Sequence, residues 1–290
     1  MNHKPKILIL GADSKIGSYL KKYLDKKYQV LTTTRRKNLV SENRIYLDLR
    51  YPENFKKNKF SDFKAAIFCA AITNQQFCED NINLAKNLNV KSTINLIKFF
   101  VEQDIFTIFP STSLVFDGEK PFHSASEKLN PQGIYAKLKA EVENEIILRY
   151  QKHVSIVRFS KIIDSKFILF NSWIKDLIEG RSVEAFEDYF FSPIYISHSA
   201  EVLEKICKDE LSGIYNFSSQ DQISYFEALK FFSKKINGSY KGIKKISAKF
   251  IDKNIYLPKF TTLENSNKLK IKSPSSQEAL ERFFAENNYA

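Results

Sequence analysis

Near its start the chain runs Ile-Leu-Ile-Leu, then Gly-Ala-Asp-Ser-Lys-Ile-Gly-Ser-Tyr-Leu through position 20. This reads as a strand, a tight turn and a helix. Gly11 and Gly17 bracket Ser14, which stands where a third glycine would complete a dinucleotide-binding fingerprint. In such a fold the first glycine lets the chain turn sharply and the last lets helix and strand pack closely. The helix N-terminus then faces a pyrophosphate. A plain βα turn in another α/β protein can have the same glycines, so the weight lies in the position, straight after the first strand and opening the first helix. On this reading Gly11, Ser14, Lys15, Ile16 and Gly17 are candidate cofactor contacts.

The first half repeats the alternation. Apolar runs recur at KILIL, YQVLTT, IYLD, AAIFCA, IFTIF and VSIVRF. Between several of them lie amphipathic patterns, Lys15 to Lys26, about Ile82 to Glu102 and about Ile134 to Tyr150. Short apolar strands alternating with helices predict a parallel sheet covered on both faces, with right-handed crossovers. After about Ser160 the pattern loosens, with helices expected near Asn171–Glu179, His198–Lys208, Tyr225–Ile236 and Ser276–Glu286. The expected fold is α/β, a doubly wound, mostly parallel sheet over residues 1–165 with a smaller C-terminal substrate lobe over 166–290. A stretch at about 193–218 should return to the core.

The 290 residues are 43% hydrophobic, enough for one large α/β domain or a domain with a smaller lobe. A net charge of +12 would suit a nucleic-acid binder. The lysines, however, are spread through every segment, with no basic stripe and no interleaved aromatic motif. They read as a solvated surface, or as a positive field that draws an anionic small substrate. Cys69, Cys78 and Cys207 are odd in number and lack C-x-x-C spacing, which fits a reduced cytoplasmic protein without disulfides or zinc. The four histidines are scattered and predict no metal site. The first apolar run is too short for a signal peptide, and nothing later approaches a membrane span. The expectation is a cytoplasmic protein acting on a small molecule, without nucleic-acid or membrane partners, with room for a homodimer.

The second apolar run ends in Thr-Thr-Thr-Arg-Arg-Lys. NAD-preferring dinucleotide folds place an acidic residue there, whereas arginine suits the 2′-phosphate of NADP. Arg35 and Arg36 therefore favour NADP(H), with NAD(H) second. Asp48 could accept from the adenine amino group or cap a helix. Ser111, Thr112 and Ser113 lie where a later strand leaves the sheet, a place for ligands and equally for local hydrogen bonds. Tyr135 and Lys139, four apart, share one helix face. They are either surface decoration or an acid and the cation that tunes it.

In this order, the glycine turn, the hydroxyl triplet and Tyr-x-x-x-Lys resemble the extended short-chain dehydrogenase/reductases. AAITNQQFCEDNINLAKNLNV, STSLVFDG, SEKLNPQGIYAKLKAEVE, SPIYISHSAEVLEKI and TTLENSNKLK are similar to the dTDP-4-dehydrorhamnose reductase branch of that family. The resemblance covers nearly the whole chain and is weakest from about Ser160 to Phe191 and after Ser239. It implies a Rossmann-type fold that reduces a keto group on a nucleotide-activated sugar. Tyr135 would then be the general acid and Lys139 its tuning cation and ribose anchor, with Thr112 orienting the substrate oxygen. It also places Leu49, Ala70 and Ala71 against the cofactor, and Thr73, Ser113, Val115 and Phe116 against the substrate. An ordinary tyrosine has a pKa of about 10. A unit charge about 4 Å away, worth roughly 4 kcal/mol at a dielectric near 20, would bring it toward 7.

There are departures from the family pattern. Ser14 replaces a glycine, and Phe68 stands where Asn or His is frequent. Ser113-Leu114 replaces Asp-Tyr. After Arg158, FSKIID stands for T-S-W-V-Y-G, where the substrate sugar packs. Glu127 matches the family motif, with either a structural role or a contact. Two further readings stay open. One is a nucleotide-sugar 4-epimerase or dehydratase, although no Asp-Glu pair follows Thr112. The other is a non-catalytic regulatory relative that binds a dinucleotide.

Overall fold

In the computed structural model, which describes residues 4–55, 60, 62–248 and 256–289, the first apolar run is strand β1 (Lys6–Leu10). Ile7 to Leu10 are 0% exposed, as a strand covered on both faces requires. The chain continues through α1 (Lys15–Leu24), β2 (Gln29–Thr34), β3 (Arg44–Tyr46), α2 (Pro52–Phe55), β4 (Phe63–Phe68), α3 (Gln75–Asp80) and α4 (Ile82–Lys86). Next come α5 (Thr93–Val101), β5 (Phe106–Thr112), α6 (Ile134–Arg149) and β6 (Val154–Phe159). The second half holds β7 (Lys161–Ile163), α7 (Ile168–Ile178), β8 (Val183–Phe186), β9 (Phe190–Phe191), β10 (Pro193–Tyr195) and α8 (Ile196–Asp209). It ends with β11 (Gly213–Phe217), β12 (Ile223–Ser224), α9 (Tyr225–Asn237), β13 (Ile243–Ile246) and α10 (Ser276–Glu286). His3 lies outside the described residues.

Seven strands form one sheet in the order β11-β6-β5-β4-β1-β2-β3, with every neighbouring pair parallel. This is the expected doubly wound, Rossmann-type sheet. The order reverses between β1 and β4, the point where such sheets open a crevice at their carboxyl ends. Side chains alternate between two apolar layers. Ile7, Ile9, Ala65 and Ile67 pack with Leu20, Leu24 and Leu203 on one face. Leu8, Leu10, Ala66 and Phe68 pack with Leu96, Phe100 and Leu138 on the other. Each fully buried side chain of this size contributes about 1.5–3 kcal/mol.

A third core, built around Phe170, Trp173, Phe191, Phe232 and Phe283, gathers side chains from the second half of the chain. Short two-stranded ladders join β10 to β7, β12 to β9 and β13 to β8. The chain nonetheless returns to the main sheet, because β11 pairs with β6. No described helix is long and apolar enough to cross a membrane.

The helix expected as one piece from Ile82 to Glu102 is broken by a π-helical segment, Asn87–Ser92. Wider turns of this kind often accompany functional sites. Here the segment holds Asn89, whose side chain accepts from the Ile72 N–H and donates to the Ile72 carbonyl, both at 2.8 Å. One amide thus clamps the loop that leaves β4.

Candidate active site

The glycine turn needs its glycines for want of room. Gly11 has φ +87, and a Cβ there would lie 2.6 Å from the Ala70 backbone. A Cβ on Gly17 would meet the Gly11 carbonyl at 2.4 Å. Ser14 needs no such freedom, since its φ of −76 is ordinary and its side chain caps α1 by accepting from Gly17 N–H at 3.1 Å. Strand β2 braces the turn, with the Gly11 N–H donating to Thr33 Oγ1 at 2.8 Å.

Above this turn lies a cavity of about 320 Å³. Of the expected contacts, Gly11, Ser14, Arg35, Asp48, Leu49, Ala70 and Ala71 line it. Asp13, Thr33, Thr34, Leu47, Arg50, Cys69, Ile72 and Leu88 also line it, and sequence reasoning did not single them out. Lys15, Ile16, Gly17 and Arg36 are not among the lining residues.

The two arginines after β2 differ in their commitments. Arg36 donates to Asp13 Oδ1 at 2.9 Å, and Arg44 pairs with the same carboxylate. Burial opposes ionisation of Asp13. Hydrogen bonds from Arg36 and Thr34 and the charge of Arg44 outweigh it and hold the carboxyl below its ordinary pKa. Arg35 instead lines the cavity. Asp48 is 5% exposed and is gripped by Arg50, whose Nε and Nη2 donate to it at 3.0 and 2.6 Å. It also accepts from the Arg50 N–H, as in a turn cap, so its carboxylate serves the chain's own arginine.

Helix α6 carries a polar stripe on its inward face: Tyr135, Lys139 and Glu143, each one turn after the last. Glu79 of α3 accepts from the Ile134 N–H at 2.8 Å and so ties down the first turn beside Tyr135. Tyr135 is half-buried, among residues that include Cys78 and Leu138. Lys139 is 6% exposed. Its ammonium donates to the Pro110 carbonyl at 2.8 Å and lies 4.3 Å from the Phe109 ring centre. The stripe therefore runs along the carboxyl end of β5, where Thr112 accepts from the Leu114 N–H at 3.2 Å.

Burial, followed by the charge of Cys78, raises the Tyr135 phenol above its ordinary pKa. Burial also depresses Lys139, to about 8, against an opposing pull from Glu143. The expectation that Lys139 draws the phenol toward neutrality is not met in this arrangement. The ammonium donates to Pro110, and burial dominates the phenol. The result is a phenol that keeps its proton, the form a proton donor requires.

Glu143 is 0% exposed and takes both partners that β5 and β6 offer. Ser111 donates to Oε1, and Arg158 donates to Oε2 from Nε and Nη2 at 2.9 and 2.6 Å. Arg158 also donates to the Ala125 carbonyl at 3.1 Å and lies 5.1 Å from the Phe116 ring centre.

The expected substrate contacts fall into different settings. Thr73 is exposed on the loop after β4, while Ser113 is buried in the turn after β5. Val115 is 0% exposed and packs with Phe116, Ala140 and Leu263, the position of a core residue. Phe116 stacks on His123 at 4.4 Å. The loop from Gly118 to Leu129 docks on the C-terminal segment. Phe122 N–H donates to Thr262 and Glu264 N–H donates to His123, at 3.0 Å each. Glu127 has a structural part in this loop, pairing with Lys120 at 2.6 Å and accepting from the Ser124 N–H.

A family model described as RmlD substrate binding domain matches residues 5–288. Among curated proteins, methionine adenosyltransferase 2 subunit beta of Danio rerio is 28% identical over 173 residues, 56% of this chain and 52% of that protein. The probable low-salt glycan biosynthesis reductase Agl14 of Haloferax volcanii is 26% identical over 173 residues, 56% of each. The chain spans about half the length of the curated relatives it matches. Among solved structures, the dTDP-4-dehydrorhamnose reductase of Bacillus anthracis str. Ames in complex with NADP superposes with a TM-score of 0.85. That match covers 98% of this chain and 99% of the other at 22% identity, a likeness of fold.

Proposed function

We propose, from the premise that the chain belongs to the RmlD substrate binding domain family, that it reduces a keto group on a nucleotide-activated sugar with NADPH. One observation supports this reading: Lys139 reaches the carboxyl end of β5, where Thr112 lies, with Tyr135 one turn before it on the same helix, and the glycine-floored cavity opens at the neighbouring carboxyl ends of β1 and β4. That cavity suits a dinucleotide. Gly11 lets the turn lie against the Ala70 backbone, and the start of α1 beside it offers the N–H groups that a pyrophosphate would take. Arg35 stands on the cavity wall beyond β2, where a 2′-phosphate would lie, and Leu47, Leu49 and Ala70 offer apolar walls. Bound there, NADPH supplies the hydride.

The chain's own residues do the rest. Tyr135 Oη hands a proton to the ketone oxygen, and its raised pKa keeps that proton in place through the neutral range. Thr112 orients the same oxygen. Lys139 adds positive charge beside the site and holds the cofactor ribose, while Asn89 and Glu79 fix the loop and the helix turn that frame it. The test follows NADPH absorbance with a panel of keto-sugar nucleotides. Consumption with at least one of them is expected. Consumption with none overturns the reading.

Two outcomes follow for variants and conditions. Arg35→Ala should weaken NADPH by roughly tenfold to a hundredfold, the loss of one charge-assisted contact, with NADH little changed. Arg36→Ala should do much less, since its guanidinium is already held by Asp13. Titration of both cofactors against both variants checks this. In the pH profile of kcat/KM, reduction should hold up to about pH 8 and decline above it, because Lys139 is charged below about 8 and neutral above. Lys139→Arg should move that alkaline limb upward.

A second reading is favoured by relatives named as subunit beta of methionine adenosyltransferase 2. It is a dinucleotide-binding subunit that acts through a partner enzyme. Tight NADPH binding with no turnover on any keto-sugar nucleotide would be its mark.

A further inference from the structure

We propose, resting on the reading of the chain as a nucleotide-sugar reductase, that Lys161 and Lys15 form a subsite for a carboxylate on the sugar ring, so that the ketone reduced here belongs to an acidic sugar. Lys161 opens β7, two residues after Phe159, and Phe159 is the register partner of Thr112 on β5. It therefore leaves the sheet at the level of the hydroxyl assigned to the reacting carbonyl. Lys15 approaches from the other side, as the first residue of α1 after the Ser14 cap. The two ammonium groups converge on one ring, with Lys161 Nζ 5.4 Å and Lys15 Nζ 6.0 Å from the centre of Phe167.

The local charge does not balance. Asp164 lies 3.4 Å from Lys15. Among the described residues, Lys161 has no carboxylate within ion-pair distance, and no anion contributes to its titration. Two cations thus face one carboxylate. Lys161 is exposed to water, yet desolvation first and repulsion from Lys15 second hold its ammonium below the ordinary lysine pKa. Repulsion between two neighbouring ammonium groups that share one carboxylate is relieved by an incoming anion. Half-buried Phe167 and Ile168, 81% exposed, add an apolar rim that suits the face of a sugar ring. Because Lys161 follows the register partner of Thr112 by two residues, the proposal puts the anion on the ring that bears the ketone.

Calorimetric titration of the NADP-saturated protein with UDP-glucuronate and with UDP-glucose tests this without turnover. The protein should bind the acid about tenfold more tightly, the scale of one charge-assisted contact. Lys161→Gln should erase that preference and leave UDP-glucose unchanged, while Lys161→Arg keeps it. Equal weakening of both ligands by Lys161→Gln would assign the lysines to the diphosphate and overturn the proposal. So would equal affinities in the unaltered protein, or binding of neither ligand. Failure of the reductase reading looks different: no keto-sugar nucleotide consumes NADPH, neutral or acidic, while the preference for the acid persists.

Discussion

Tyr135→Phe is expected to lower turnover by about 10²–10⁴-fold, the range for removing a positioned proton donor, while NADPH still binds. The substitution removes one oxygen from a half-buried ring and leaves its packing against Leu138 and Cys78 intact. Glu79 continues to fix the first turn of α6 through the Ile134 N–H, so the helix should stay in place. Steady-state turnover and a separate NADPH titration read the two effects apart. Loss of NADPH binding together with turnover would make Tyr135 a structural residue and remove it from the chemistry.

Arg158→Met should cost roughly 3–5 kcal/mol of stability, because it leaves the carboxylate of Glu143 buried without its charged partner. Both side chains are almost fully excluded from water, at 1% and 0% exposure, so solvent cannot take over. Ser111 alone would remain on Glu143. At about 2–4 °C per kcal/mol for a large domain, the melting temperature should fall by on the order of 10 °C. Combining Arg158→Met with Glu143→Gln should recover part of the loss, since no unpaired charge then stays buried. Thermal denaturation of the single and double variants measures this. A single variant within 1 kcal/mol, as an order of magnitude, would mean that water reaches the pair.

The sheet was legible because its signal is local. Each strand is a short apolar run, and each crossover helix repeats every three to four residues. Helix α10 falls at Ser276–Glu286, as the spacing predicts, with Ser275 and Glu278 forming its capping box. The π segment was not legible. Nothing in Asn-Leu-Asn-Val-Lys-Ser breaks helical periodicity, and the wider turn is set by Asn89 reaching Ile72 across the fold.

The site was read unevenly for the same reason. Glycines that must turn, and hydroxyls at a strand end, announce themselves in sequence. Whether Arg35 or Arg36 is free for a ligand depends on Asp13, which lies more than twenty residues away in the chain. The buried Glu143 was missed, yet its signal was present. It continues the Tyr135 and Lys139 spacing by one more turn, and Arg158 interrupts the apolar run VSIVRF that packs beside it. The direction of the Tyr135 shift could not be read from spacing alone. Four residues apart says that two side chains are neighbours, and it is silent on how dry their surroundings are.

Hydride and proton delivery to one carbonyl is tested most directly by isotope transfer. The protein is given NADPH carrying deuterium at the transferring carbon, together with the keto-sugar nucleotide that it turns over fastest, and the product sugar is analysed by mass spectrometry. A single deuterium fixed on the carbinol carbon, with the rate of transfer lowered about 10²–10⁴-fold in Tyr135→Phe, is the predicted result. A reduced sugar without label, or label transfer that survives unchanged in Tyr135→Phe, would contradict it.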